Sequence, residues 1–353
     1  TFVKDVLQTF IRFGADPKIA YQGKPHLGTD KIRKIVLNMR REIESLGGSF
    51  QFNSFLDDLT IIDGNLAAVS INGSKQNISS LILAIGNSAS ETFDLLHKQG
   101  IAIEQKPYAV GVRVEHPQNF INRAQFGSKV DMNYLEAAEY VLTHKCHKTE
   151  RGVYSFCMCP GGKIICSSSH DKHLVLNGMS YSTRNLPYAN SAIVVTVDKK
   201  DFQSMNPLAG LLFRNQIEER AYKLTPEPFQ APAQRIRDFM NDKTTNQKIK
   251  SSYSLDVFNV PITNIFPRSI IESLNEAFSA FDRQIKGFIE NGILLAPETR
   301  TSNPLRIVRD PVYFTSVNTN GIFPIGEGAG YAGGIMSCAV DALHFVSKVK
   351  SIK

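Results

Sequence analysis

At 353 residues with 42% hydrophobic content, the chain is long enough for two cored domains, and no apolar run reaches the length of a membrane span. Five cysteines (Cys146, Cys157, Cys159, Cys166, Cys338) make an odd number in a large chain, which excludes a disulfide scaffold and suits free thiols in a reducing cytoplasm. The net charge of +7 is spread thinly: residues 1–105 carry 11 basic and 11 acidic side chains, residues 106–297 carry 23 and 18, and residues 298–353 carry 6 and 4, with no run of five or more Lys/Arg, which argues against a nucleic-acid partner.

Val3, Val6, Leu7, Phe10 and Ile11 predict a first helix, broken at Gly14 and Pro17. The loop Gly23-Lys24-Pro25-His26-Leu27-Gly28 follows. Thr29 or Asp30 is then placed to cap a helix whose stripe is Ile32, Ile35, Val36, Met39, Ile43 and Leu46, ending at Gly47-Gly48. A short strand is expected near Ser49–Asn53. Next come short apolar runs separated by Asp63-Gly64 and Asn72-Gly73, the pattern of a β-meander. The meander leads into Leu81–Gly86, an unbroken apolar run of the kind buried on both faces of a parallel sheet.

From residue 106 the pattern changes. Strands are expected at Tyr108–Glu115, Val153–Met158, Lys163–Ser167 and Ser191–Val197, helices at Leu208–Lys223 and 269–288, and a solvated loop at 241–252. Near the end, Ile322-Phe323-Pro324-Ile325 reads as a buried strand. Gly326, Gly328, Gly330, Gly333 and Gly334 then fall within nine residues, and Ile335, Ala339, Leu343 and Val346 are spaced for one helix face.

Strand, glycine loop, helix aims unpaired backbone N–H groups and the positive helix end at an anion or an electron-rich ring. Gly328–Gly333 is a formal GxGxxG, but a dinucleotide fingerprint opens a βαβ unit and has an acid about 20 positions on. Here Lys353 follows directly on the helix, so the loop reads as closing a nucleotide-binding domain. Glu327 within the glycines is placed to accept hydrogen bonds from sugar-like hydroxyls. The alternative is a turn used only for tight strand–helix packing.

On these residues the stretch resembles the C-terminal flavin-contacting motif of two-dinucleotide-binding-domain flavoproteins. More narrowly, the blocks KPHLGTDKIRKIV (24–36), KPYAVGVRVEHPQ (106–118), GVYSFCMCPGG (152–162), NGMSYSTR (177–184), ETRTSNPLRI (298–307) and GEGAGYAGGIMS (326–337) resemble a family of bacterial FAD-utilizing dehydrogenases, mostly uncharacterised NAD(P)/FAD-dependent oxidoreductases. The resemblance implies an α/β (α+β overall) chain. An incomplete Rossmann-like FAD-binding domain with a β-meander is expected at 1–105 and 298–353, its strands forming one sheet. A mixed α+β substrate or cap domain is inserted at 106–297. The family's opening βαβ unit is expected upstream of Thr1, so the chain reads as a fragment that binds FAD weakly or not at all.

The resemblance further places Ile85, Gly86, Gly326, Glu327, Gly328, Ala329, Gly330, Gly333, Gly334 and Ile335 against FAD, with Glu327 where the family usually has Asp. His26, in a loop the resemblance lays over the flavin ring, is a candidate proton shuttle; the alternative is a surface or capping histidine. Arg300 is the preferred candidate to clamp a substrate carboxylate, and Thr29, Arg113, Arg184, Thr301, Ser302 and Arg306 are candidate pocket residues. For any one of these arginines the alternative is a domain-interface ion pair.

Cys157-Met158-Cys159 lies on an expected strand, where positions two apart share a face and a thiol packs as a small hydrophobe. It lacks CxxC geometry and a matching Cys/His pair, so no metal site is expected. The reading is an FAD-dependent oxidoreductase of unknown small-molecule substrate, cytoplasmic, with NAD(P)H as a candidate electron donor. Two alternatives stand beside it: an FAD-binding RNA-modification protein using the net-positive insert, and a flavin-fold binding module without turnover.

Overall fold

The computed structural model describes residues 2–23, 26–245 and 248–352. Lys24 and Pro25 of the expected KPHLGT loop, and Asn246 and Gln247 of the expected 241–252 loop, lie outside the described residues. The chain is mixed α/β with mostly antiparallel pairing, and it divides into two compact units. Unit 1 is Thr1–Tyr108, Asp198–Leu212 and Ser302–Lys353; unit 2 is Ala109–Val197 and Phe213–Thr301. This differs from the expected division in three places, the first being that residues 106–108 fall in unit 1. Segment 198–212 belongs with unit 1, where Leu208 and Leu211 join its core. Residues 298–301 belong with unit 2, because Ile293–Glu298 is a strand of its sheet.

In unit 1 the meander forms as Leu56–Ile62, Asn65–Ile71 and Ser74–Asn77, all antiparallel. Both of its turns carry two left-handed residues, Asp63-Gly64 (φ 48° and 75°) and Asn72-Gly73 (φ 50° and 76°), the geometry whose twist matches flanking strands. Gly73→Ala should lower stability by about 1 kcal/mol, since a Cβ is disfavoured at that φ although no atom crowds it. Chemical denaturation of the variant checks this.

The expected single sheet is not what forms. Ile322–Pro324 pairs in parallel with Leu81–Leu83, and Leu305–Ile307 pairs antiparallel with Ile103–Gln105, giving two separate two-stranded sheets beside the meander. Each strand is three residues long and Pro324 has no N–H to extend its ladder. The run at 81–86 is correspondingly shorter than expected, and Ile82 is exposed. No strand forms near 49–53, where Asn53 takes a left-handed φ of 53°. Leu59, Leu66, Leu83, Phe93, Leu96 and Ile322 fill the core between these pieces.

The helices Phe2–Arg12 and Thr29–Ser45 form as expected, but Thr29 does not cap; Gly28 holds the cap position without a side-chain bond. Only Ile35 of the expected stripe is buried, packed with Ala15 and Ile19, while Val36 and Leu46 are exposed. The closing helix Ile335–Ile352 likewise turns a different face inward: Phe345 packs on Phe314 and Ile325, and Ile335 and Val346 face solvent.

Unit 2 is built on an eight-stranded sheet in the order Val257–Asn259, Ala231–Arg235, Ile293–Glu298, Tyr108–Pro117, Tyr188–Val197, Gly152–Cys166, Thr143–Lys145, with Leu176–Ser180 also on Gly152–Cys166. The pair of strands at 231 and 257 is parallel. The two strands expected at 153–158 and 163–167 are one 15-residue strand, Gly152–Cys166, bent by register shifts near Cys159. Strand Tyr108–Pro117 is buried along almost its whole length, which its alternating Val/Arg/Val/Glu would not suggest. Its polar side chains are buried because each finds partners. Glu115 accepts from the Ser252 N–H and hydroxyl, and His116 Nε2 lies 2.8 Å from the Phe288 carbonyl.

Candidate functional site

The glycine loop sits in unit 1 directly after the parallel pair. Gly328 packs against the backbone of Gly86 and the Ile85 side chain so closely that a Cβ would strike them. Gly330 (φ 83°) lies equally close to Leu305 and Arg306. These two glycines lock the loop onto the sheet ends. Gly334 differs: nothing lies within 4 Å of where its Cβ would stand, and for Gly333 the nearest atom is Ser302 Cβ at 3.9 Å. The start of the helix Ile335–Ile352, with its positive end, is therefore uncrowded at Gly334, while the Gly333 N–H donates to Ser337 Oγ at 3.2 Å.

Two hollows share that helix start. One, of about 350 Å³, is lined by Lys106, Ser302, Arg306, Gly330, Gly333 and Ser337, with Tyr331 and Ala332. The other, about 240 Å³ and largely apolar, is lined by Leu7, Phe10, Ile19, His26, Ile335 and Met336, with Leu27 and Ile32. The first carries positive charge. Burial lowers the Lys106 pKa, as does neighbouring Arg306, while Glu327 raises it. Arg306 also pairs with Glu104 at 3.1 Å and lies over the Tyr331 ring. Glu327 is half-buried. Burial raises its pKa above the usual carboxylate range, against the Asn87 side-chain amide donating at 3.2 Å and the Lys106 charge.

The loop is held by a clamp. Arg309 grips Asp341 with two bonds of 2.6 and 3.0 Å, donates to the Pro324 carbonyl at 2.7 Å, and stacks on Tyr331 with its guanidinium 3.8 Å from the ring centre. Asp341 in turn accepts the Gly326 N–H at 2.7 Å. Asn303 closes the far side by donating to the Gly328 carbonyl.

Of the residues singled out from sequence, Ile85, Gly86, Gly326, Glu327, Gly328, Ala329, Gly330, Gly333, Gly334, Ile335, Ser302, Arg306 and His26 come together in unit 1 around this loop. Thr29 is in unit 1 but lines neither hollow. Arg113, Arg184, Arg300 and Thr301 are in unit 2. There Arg300 pairs with Glu218 at 3.0 Å and donates to Ser169 at 2.6 Å, so the guanidinium expected to clamp a substrate is engaged inside the unit. Arg113 is fully buried, Arg184 pairs with Glu136 at 3.2 Å, and Thr301 donates to the Ala109 carbonyl. Sequence reasoning missed Lys106, Asn87, Asn303 and the Arg309–Asp341 clamp. The first three lie at the ends of recognised blocks or strands and were open to notice; the clamp joins residues 32 apart with no local signal.

Glu218 is buried, which raises its pKa, but bonds from Arg300 and Thr299 and the Arg214 charge outweigh this and hold it below the usual range. Its contribution to stability is therefore present above the unfolded carboxylate pKa and lost as pH falls through the lower folded value. Glu218→Gln should flatten the acid side of the stability–pH curve below about pH 5, read by thermal melts across pH. Among the described residues, one group could gather round a metal: His144, Cys146 and Glu276, with ligand atoms within 4.8 Å. Glu276 there already accepts from His144 and the His147 N–H.

Residues 107–301, more than half of the chain, match the family described as FAD-dependent protein, C-terminal domain-like. The chain therefore belongs to that family. An uncharacterized protein of Clostridium beijerinckii is 42% identical over 350 residues, covering 97% of this chain and 66% of its own length. Among solved structures, an oxidoreductase from Methanosarcina mazei (10% identity, TM-score 0.36) and a salicylate hydroxylase in complex with substrate (12%, TM-score 0.38) each cover 90% of this chain, and 54% and 56% of their own. At such TM-scores these structural likenesses bear no weight on fold or activity. The chain spans just under two thirds of the curated relative and about half of these solved chains. No described helix is long and apolar enough to cross a membrane.

Proposed function

We propose that the chain is part of an FAD-dependent oxidoreductase and that the glycine loop of unit 1 is its flavin-contacting element. The observation that carries this reading is the contrast within one loop. Gly328 and Gly330 are glycines because backbone presses on them, whereas Gly334 is a glycine facing open space at a helix start. A packing turn needs the first kind; room left for a ligand explains the second.

In this reading Gly333, Gly334 and Ile335 receive the flavin, and the helix end stabilises negative charge on it. Glu327, positioned by Asn87, accepts from polyol hydroxyls. Lys106 and Arg306 supply positive charge for phosphate or an anionic substrate. His26, beside Ile335 and Met336 in the apolar hollow, is the candidate to hold or move a proton. Arg300, paired with Glu218 inside unit 2, is given no role in this reading. FAD, when bound, supplies two-electron redox chemistry, and NAD(P)H is the proposed donor.

Anaerobic mixing of the flavin-loaded full-length gene product with NADH or NADPH tests the enzyme reading. Bleaching of the flavin absorbance by either is expected. If bound flavin is reduced by dithionite but by neither nicotinamide, the proposed donor is wrong; if it also resists turnover with every acceptor, a binding module is the better account.

A further inference from the structure

The strand Gly152–Cys166 is bent where Cys157 and Cys159 sit. Opposite Tyr188–Val197, Asn190 pairs with Cys159 and Ala192 with Phe156, so Cys157 and Met158 form the extra length of a bulge. Cys157 takes φ 47°, a left-handed conformation uncommon for a side-chain-bearing residue. Two residues of flat strand span roughly 6.7 Å, the upper end of what a disulfide bridges, and a left-handed residue shortens that span. The outcome is one exposed cysteine, Cys157, and one buried cysteine, Cys159, whose Sγ lies 3.4 Å from the Cys157 carbonyl.

Beneath them lies Arg113, whose guanidinium is wholly removed from solvent. It donates to Asn190 Oδ1 at 2.9 Å, to Glu298 at 3.2 Å, to the Cys157 carbonyl at 2.8 Å and to Cys159 Sγ at 3.5 Å. Cys159 Sγ also lies 3.4 Å from the Cys157 carbonyl. Glycine at 178 is required here, since a Cβ would occupy the guanidinium's place. A buried cation fixed by four partners and placed under a vicinal thiol pair is more than a packing device: packing alone would use apolar side chains and avoid desolvating an arginine.

We propose that Cys157 and Cys159 are a redox-active pair, with Cys157 the attacking thiol and Cys159 the resolving one, and with hydroperoxides as oxidant. The Cys157 thiolate attacks one peroxide oxygen; an S–O bond forms, the O–O bond breaks, and hydroxide leaves to be protonated. The Cys159 sulfur then attacks the sulfenic sulfur of Cys157; the S–S bond forms, the S–O bond breaks, and the departing hydroxide takes the Cys159 proton and leaves as water. Two thiols and one hydrogen peroxide give one disulfide and two waters. The arrangement suits this order. The bond from Cys159, outweighing burial and helped by Arg113, holds the Cys157 thiol down to about 6, while the Cys159 thiol is raised well above the ordinary value. The attacking thiol is thus on the exposed residue of the pair and is the one whose environment favours the thiolate. The expected role of both thiols as small hydrophobes is replaced by this reading, and the pair lies wholly within unit 2, independent of the flavin proposal.

The test uses the whole chain, reduced, desalted and treated with one equivalent of hydrogen peroxide. Peptide mass mapping should find a Cys157–Cys159 disulfide, with Cys146, Cys166 and Cys338 still reduced. In Cys159→Ser the sulfenic acid should persist on residue 157 and be trapped by dimedone; Cys157→Ser should give neither product. At pH 7, iodoacetamide should alkylate Cys157 at least about tenfold faster than Cys166, because the Cys157 thiol is held down and the thiolate is the form that reacts. Folding of each variant is checked by circular dichroism. A folded chain that forms no such disulfide, or in which Cys157 reacts no faster than Cys166, overturns the proposal.

Discussion

Gly334→Val should lower flavin affinity at least about tenfold while leaving the fold in place. Most substitutions in a glycine loop are uninformative because they damage the protein as well as the site. At Gly330 the φ of 83° and the nearby Leu305 carbonyl would strain any side chain, and at Gly328 the Gly86 backbone would be struck. Gly334 escapes both problems: it has no left-handed φ and no atom within 4 Å of an added Cβ. The valine methyl groups would project into the space at the helix start and compete with the ligand for it. Excluding a planar ring from a filled volume costs 1.4 kcal/mol or more, so affinity should fall at least about tenfold. The melting temperature should fall only slightly, since valine at the position before Ile335 is a poorer helix start than glycine. Isothermal titration with FAD and a thermal melt of the same preparation separate the two effects. Unchanged affinity with unchanged stability would place the flavin elsewhere.

Asp341→Ala should have the opposite profile, a large loss of stability in unit 1. Asp341 and Arg309 are both nearly buried, with side-chain exposures of 11% and 7%. Burial raises the Asp341 pKa, but the Arg309 bonds and the Gly326 N–H bring it below its usual value. Removing the carboxylate leaves Arg309 charged and largely desolvated, and leaves the Gly326 N–H without its acceptor. Breaking one partner of a buried pair costs about 3–5 kcal/mol. The remaining bond from Arg309 to the Pro324 carbonyl and its stacking on Tyr331 would soften the lower figure rather than the higher. Urea denaturation should show the midpoint fall, and the loop amides of Gly326–Gly330 should lose hydrogen-exchange protection. A stability loss below about 1 kcal/mol would mean that the clamp is not what holds the loop.

The meander was legible from sequence because its signal is local. Asp-Gly and Asn-Gly between short apolar runs determine both the turn type and the pairing. The glycine loop was legible for the same reason, and so was the helix following it. What was not legible depends on partners far away in sequence. The inward face of Ile335–Ile352 is set by Phe314 and Ile325, so the helix presents Phe345 and leaves Ile335 exposed although spacing alone favoured the latter. Arg300 reads as a ligand clamp until Glu218, 82 residues earlier, is seen beside it. Arg113 sits in a strand whose alternation suggests one wet face, yet it is buried because Glu298, Asn190 and two cysteine positions converge on it. The bulge at Cys157 has no sequence mark at all; Cys-Met-Cys on a regular strand predicts two thiols on one face and no reason for either to ionise.

The account stands on the glycine loop as a flavin site. The most direct measurement is the visible absorption spectrum during FAD titration of the gene product and of its Gly334→Val form. FAD bound by the gene product should show a shifted, structured flavin band, and the valine form should bind it at least about tenfold more weakly. Failure of the gene product to bind FAD, or equal binding by the valine form, would contradict this and leave the loop as a device of packing alone.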